Sequence, residues 1–228
     1  MSEPASATAS GAGTVRAVIF DLGGVITESP MHAFAAYEAE AGLPEGLIRR
    51  LNSTDPDANA WARFERNELD VAGFTEAFEA EALAAGYRVS AARVLEGLRG
   101  ELRPEMVAAV GRLKDAGLPV GLLSNNVAPM ERTGELGQLL ALFDAIVESS
   151  TEGVRKPEPE IYRRALTRLG QAVGETLEAS DCAYLDDLGI NLKPARALGF
   201  RTIKVIEPAD ALAELSALVG FSLDGRSR

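Results

Sequence analysis

Four short clusters in this chain carry side chains suited to chemistry: Asp21, Ser124-Asn125, Lys156 and Asp186-Asp187. Carboxylates gathered at one place repel each other and are costly to bury unless a cation stands among them. Oxygen ligands of this kind suit Mg²⁺, which keeps several waters and takes one or two carboxylates plus a phosphate oxygen. A carboxylate is also a covalent nucleophile toward phosphoryl groups. A nearby lysine would offset both its charge and that of an anionic substrate. Each cluster has a plainer reading on its own. Asp21, followed by Gly23-Gly24, is ordinary turn material; Asp186-Asp187 would serve to cap the next helix; Lys156 before Pro157 would serve as surface. The four together, in this order, are poorly explained as separate accidents.

The elements that must position them follow from pattern. Val18-Ile19-Phe20 reads as a strand buried on both faces, because β-branched and aromatic residues run without polar alternation. Asp21 falls at its carboxyl end, where ligands bind in open α/β sheets. Gly23 and Gly24 let the chain turn and approach a ligand closely. From Pro104 the chain alternates regularly. A helix runs toward Gly117, a strand covers 119–123, and a short helical region precedes a strand at 145–147. Then come a helix over 158–169, a strand at 183–185, a helix over 190–198, a strand at 202–206 and a helix over 208–218. Such alternation predicts a parallel sheet with right-handed crossovers. In a parallel sheet the strand ends of one polarity share one edge, so residues about 165 apart in sequence can meet there.

Residues 28–102 break this rhythm. They read as helices near 32–52 (interrupted at Gly42-Leu43-Pro44), 60–66, 71–85 and 90–99, with no strand. Thr54-Asp55-Pro56-Asp57 is a break that can cap the following helix. The expected organisation is therefore a Rossmann-like core of residues 15–27 and 103–222 with an inserted helical cap, 28–102. A disordered leader is expected at 1–14 and a tail at 223–228.

Composition bounds the rest. With 228 residues, a formal net charge of −11 and 46% hydrophobic residues, the chain suits one core plus a small insert. The acidic balance argues against nucleic-acid and anionic membrane partners, and no apolar run is long enough for a membrane-spanning helix. One cysteine, Cys182, excludes an internal disulfide and fits a reducing, cytoplasmic compartment; it reads as buried and inert. His32 reads as exposed, with a surrogate proton donor as the alternative; Trp61, Phe64 and Phe74 read as core of the insert, and Arg63 and Arg66 as members of a charged face, with contact to an anionic substrate as the alternative. The chain is expected to act as a monomer or homodimer.

Phe20-Asp21-Leu22-Gly23-Gly24-Val25, Leu123-Ser124-Asn125-Asn126, Arg155-Lys156-Pro157 and Tyr184-Leu185-Asp186-Asp187-Leu188-Gly189 resemble, in order, the four motifs of the haloacid dehalogenase superfamily. The run 185–199 is similar to the phosphatase domain of soluble epoxide hydrolases and to the related domain of acyl-CoA dehydrogenase family members. The resemblance implies an α/β core with a helical cap, and Mg²⁺-dependent hydrolysis of small-molecule phosphomonoesters. It implies that Asp21 is the nucleophile that becomes a phospho-aspartate. Ser124 and the Asn125 amide would hold phosphoryl oxygens, and Lys156 would pair with nucleophile and phosphate. Asp21, the Gly23 carbonyl, Asp187 and Asp186 would serve the metal.

The chain departs from the pattern at Gly23, where phosphatases of the family usually carry a second aspartate as general acid and base. General acid–base catalysis is typically worth 10²- to 10⁴-fold. Sugar-phosphate phosphatases with a D-L-G start do occur in the family. Two other readings compete. A catalytically idle phosphate-binding module is favoured by Gly23 and opposed by the intact Asp21, Lys156 and Asp186-Asp187. A haloacid dehalogenase needs no metal, and the paired aspartates oppose it.

Overall fold

The computed structural model describes residues 14–128, 130 and 132–223. The expected leader and tail lie outside these residues, apart from Thr14 and Leu223. Leu223 corrects the expectation: it is fully buried in the core, with its N–H donating to Ser216 Oγ at 3.0 Å.

Five strands form one all-parallel sheet: β1 (Ala17–Phe20), β2 (Val120–Ser124), β3 (Ala145–Glu148), β4 (Cys182–Asp186) and β5 (Arg201–Lys204). Their spatial order is β3-β2-β1-β4-β5, so β1 is central. Register places Phe20 beside both Leu122 and Leu185. The segments after β1, β2 and β4 consequently reach the same edge at the same level.

Alternate residues face alternate sides, and each side has its own core. Val18, Phe20, Leu122 and Leu185 pack under α6 (Pro104–Asp115) and α11 (Pro208–Val219). Ala17, Ile19, Leu123 and Tyr184 pack under α9 (Pro159–Val173) and α10 (Gly189–Leu198). Proline at the first turn of α6, α9 and α11 fits a position that needs no N–H donor. Two short helices, α7 (Gly134–Leu140) and α8 (Ser149–Glu152), lie between β2 and α9.

Between β1 and α6 the chain forms α1 (Pro30–Glu40), α2 (Leu47–Ser53), α3 (Ala60–Glu65), α4 (Val71–Ala84) and α5 (Ala91–Glu96). These helices bury a third apolar cluster built on Phe34, Ile48, Trp61, Phe64, Phe74 and Phe78. Phe64 and Phe74 stack with centroids 4.4 Å apart, and Trp61 meets Phe74 edge-on at 5.4 Å. The cap of α3 is Asn59, whose side chain accepts from Ala62 N–H at 2.8 Å. The Thr54–Asp57 break that the sequence suggested lies too far upstream for this.

The helical insert joins the sheet through a narrow neck. Thr27 and Leu102 form an antiparallel bridge. Glu28 N–H donates to Glu101 O at 2.8 Å, and Arg103 N–H to Ile26 O at 2.8 Å. The Arg103 guanidinium then donates to Gly24 O at 3.1 Å and pairs with Glu28 at 3.3 Å.

Candidate active site

Asp21 follows the last residue of β1, and its N–H donates to Leu185 O at 2.9 Å. Its Oδ1 accepts from Leu22 N–H at 2.7 Å and pairs with Lys156 Nζ at 2.7 Å. Among the described residues, its Oδ2 carries no hydrogen bond. Lys156 arrives from the loop before α9. It is 1% exposed, and its Nζ bridges Asp21 to Asp186 Oδ2 at 2.9 Å. Asp187 completes the group: Asp21, Asp186 and Asp187 each offer a carboxylate oxygen, all within 4.8 Å of one another.

Electrostatics follow from this crowding. Burial raises the Asp21 carboxyl well above its usual range; Lys156 opposes that rise and Asp186 adds to it. Burial also raises Asp187, helped by the Asp186 charge and opposed by Lys156. For Lys156 burial favours the neutral amine, but the charges of Asp186 and Asp21 and their hydrogen bonds reverse this and hold the ammonium firmly protonated. One ammonium for three carboxylates leaves the group short of positive charge, a donor set suited to an added divalent cation.

The two adjacent aspartates differ in how much of each carboxylate is engaged. Asp186 is fully buried, with both oxygens committed to protein donors. Asn191 Nδ2 reaches them at 3.0 and 3.1 Å, Leu188 N–H reaches Oδ1 at 2.8 Å, and the Tyr184 hydroxyl and Lys156 share Oδ2. Behind them, the Tyr162 hydroxyl donates to Asn191 O at 2.8 Å. Asp187 is only partly buried, and the side-chain hydroxyl that reaches it is Ser29 Oγ at 3.4 Å.

The turn over Leu22–Ile26, closed by Thr27 N–H on Leu22 O at 2.9 Å, places two glycines differently. Gly24 has φ +76°, and a Cβ there would sit 2.2 Å from Asp187 Oδ2, so only glycine fits. Gly23 has φ −68° and ψ 126°, a conformation open to any residue, and a Cβ would meet only Pro30 Cδ at 4.0 Å.

Ser124 ends β2, 3% exposed, its hydroxyl only loosely placed toward Asn125 O at 3.4 Å. Asn125 departs from expectation. Its Nδ2 donates to Lys156 O at 3.0 Å and to Glu65 Oε2 at 3.1 Å, while its Oδ1 accepts from Lys156 N–H at 2.8 Å. Both amide hydrogens are thus engaged, and the side chain is not available to a phosphoryl oxygen as arranged.

The remaining candidates lie elsewhere. The His32 side chain is 81% exposed, with Nδ1 3.8 Å from Glu28. Arg63 and Arg66 pair with Glu68 on the surface of the insert. Cys182 is buried at the start of β4, and burial pushes its thiol up to about 12. Sequence reasoning missed Glu65, Tyr184 and Asn191. Only Asn191, five residues past Asp186, had a signal: one helical turn after a strand end is within reach of that end.

A parallel sheet with a buried lysine among three aspartates at its carboxyl edge defines an α/β, Rossmann-like core with its candidate site at the strand ends. The family model of the haloacid dehalogenase-like hydrolases matches residues 15–199. The chain belongs to that family. It is 36% identical over 222 residues to acyl-CoA dehydrogenase family member 10 of Mus musculus, covering 95% of this chain and 20% of that protein. It is 29% identical to bifunctional epoxide hydrolase 2 of Sus scrofa, covering 92% and 40%. Against the sesquiterpene phosphatase astK of Aspergillus oryzae it is 28% identical, covering 91% and 98%. The chain therefore spans only a fifth and two-fifths of the first two relatives, and nearly all of the third. Both resemblances read from the motifs, to epoxide hydrolases and to acyl-CoA dehydrogenase family members, are borne out.

Proposed function

We propose that this protein hydrolyses small-molecule phosphomonoesters through a phospho-aspartate on Asp21. The observation that carries the reading is the Asp21 carboxylate itself. Its Oδ1 is held by Leu22 N–H and Lys156, and among the described residues its Oδ2 carries no hydrogen bond at this buried strand end. Oδ2 attacks phosphorus, and the bond to the leaving oxygen breaks as that oxygen takes a proton from solvent water, since Gly23 has no side chain to donate one. Water then displaces phosphate from Asp21, restoring the carboxylate. Lys156 holds the nucleophile and balances charge at both stages, and the Ser124 hydroxyl donates to a phosphoryl oxygen.

The donor set fits Mg²⁺, with Asp21, Asp187 and the Gly23 carbonyl as its protein ligands. When bound, the ion neutralises the carboxylates and the phosphoryl oxygens. Asp186, its oxygens occupied by four protein groups, orients Lys156 from behind. The helical insert is read as the cap over the site. The buried, unpaired thiol of Cys182 supports a reducing, cytoplasmic compartment.

The test is phosphate release across a panel of phosphomonoesters with and without Mg²⁺, with Asp21→Asn as control. Mg²⁺-dependent release that vanishes in Asp21→Asn is expected; release that survives this substitution overturns the mechanism. Gly23 favours a second reading, a phosphate-binding module without turnover. That reading predicts Mg²⁺-dependent binding of inorganic phosphate and no release from any ester.

A further inference from the structure

Glu65, at the end of α3 in the insert, is 7% exposed, yet only half of its carboxylate serves its own helix. Oε1 accepts from Trp61 Nε1 at 3.0 Å, one helical turn back. Oε2 leaves the insert for the sheet edge. There it pairs with the Arg155 guanidinium and accepts from Asn125 Nδ2 at 3.1 Å. Those two residues flank the catalytic lysine in different ways. Arg155 precedes it in sequence. Asn125 grips its backbone on both sides, accepting from Lys156 N–H at 2.8 Å and donating to Lys156 O at 3.0 Å.

The geometry points to Glu65 as a positioning residue that couples the seating of the helical insert to the placement of Lys156. The path is short and continuous. Insert helix α3 sets the Glu65 carboxylate, which sets the plane of the Asn125 amide, which sets the Lys156 backbone. The ammonium at the end of that backbone bridges Asp21 and Asp186. Arg155 Nη1 also donates to Pro56 O at 3.1 Å, a second tie between insert and lysine loop. Val127, just past Asn125, packs against the apolar cluster of the insert, so the β2 end and the insert are in contact by packing as well.

A Glu serving only the stability of the insert would find partners within the insert. Here one oxygen spans about 60 residues of sequence to Asn125 and 90 to Arg155. Seating of the insert is therefore reported to the nucleophile's partner through a hydrogen-bonded chain. A misplacement of order 1 Å in such a site can cost about 10²-fold in rate.

The kinetic part of this inference rests on the phosphatase reading; the positional part does not, and the experiment separates them. In the full chain, Glu65→Gln keeps volume and a hydrogen-bonding end but removes the charge. Arg155→Gln removes, from the sheet side, the ion pair that holds Glu65 Oε2 against Asn125, without touching the interior of the insert. The double variant closes the cycle. Hydrogen exchange at the Lys156 amide, whose acceptor is Asn125 Oδ1, should rise by about tenfold or more in each single variant. Thermal melting should show that the chain remains folded.

For a phosphomonoester that the parent turns over, kcat should fall about 10- to 100-fold with KM within about threefold. The double variant should be no worse than the poorer single, as expected of one shared path. Glu65→Asp, with its charge retained, should recover part of kcat. Unchanged Lys156 exchange in folded Glu65→Gln and Arg155→Gln overturns the inference whether or not the protein is a phosphatase. Raised exchange with kcat intact overturns the coupling to catalysis. If the parent releases no phosphate, the phosphatase reading falls alone, and exchange still decides the role of Glu65.

Discussion

Placing a carboxylate at residue 23 tests whether the proposed phosphatase reaction is limited there by the want of a proton donor. Gly23→Asp has no conformational obstacle: φ −68° and ψ 126° suit any L-residue, and the new Cβ would meet only Pro30 Cδ at 4.0 Å. The gain available from general acid catalysis is about 10²- to 10⁴-fold, or about 2.7–5.4 kcal/mol. Against it stands charge. Asp21 is already raised by burial and by Asp186. Were the new carboxylate about 5 Å from that of Asp21, the repulsion would be about 3 kcal/mol at an effective dielectric of about 20. Lys156 and a bound cation offset part of this.

The net expectation is a gain of about 10- to 100-fold for leaving groups that need a proton, such as sugar hydroxyls, and little gain for an aryl leaving group. The assay is the ratio of kcat/KM for a sugar phosphate over an aryl phosphate, in Gly23→Asp against the parent. Gly23→Asn, of similar shape but unable to transfer a proton, should leave the ratio flat. A flat ratio in folded, Mg²⁺-binding Gly23→Asp would refute the claim that residue 23 limits the reaction.

Two other expectations follow from neighbouring features. Gly24→Ala combines φ +76° with a Cβ placed 2.2 Å from Asp187 Oδ2. It should weaken Mg²⁺ binding at least about tenfold by calorimetry and lower the melting temperature, since the left-handed conformation alone costs about 1–2 kcal/mol; unchanged affinity would contradict the placement of Asp187. The Cys182 thiol, moved by burial from 9.0 to about 12, is favoured in its protonated form by the fold. Its contribution to stability is thus whole below pH 9.0 and is lost as pH rises toward 12. At pH 8.5 it should resist iodoacetamide in the native chain, with about a thousandfold less thiolate than an ordinary cysteine, and react once the chain is denatured; prompt native labelling would contradict its burial.

Much of this arrangement was readable in the sequence because parallel sheets convert strand order into spatial convergence. Val18-Ile19-Phe20 had no polar alternation, so β1 had to be covered on both sides, and it is the central strand. Asp21, Lys156 and Asp186-Asp187 then had one edge on which to meet, and they do. What escaped depended on partners distant in sequence. Glu65 closes a short helix beside Arg66, where a glutamate reads as solvated surface; nothing local shows that Asn125 and Arg155 await it. The Asn125 amide reads as a ligand for phosphate until the Lys156 backbone is seen to occupy it. Asp186 and Asp187 are chemically alike in sequence, and only Asn191, Tyr184 and the Leu188 N–H separate them. Leu223 was read as tail because it follows the last helix, but an apolar cluster between α6 and α11 needed it.

The neck at Thr27 and Leu102 has a consequence for the order in which the chain acquires its shape. β1 and β2 are hydrogen-bonded neighbours separated by about 100 residues, a loop whose ends are entropically costly to bring together. Because the insert leaves and returns through paired backbone segments, it presents its two ends already side by side once its own apolar cluster has formed. With the neck formed, the connection the sheet has to close is set by the turn at 21–26 and by residues 103–119, which hold α6, and not by the whole insert. The same neck means that helices α1 to α5 can change in length or sequence without altering the spacing the sheet sees.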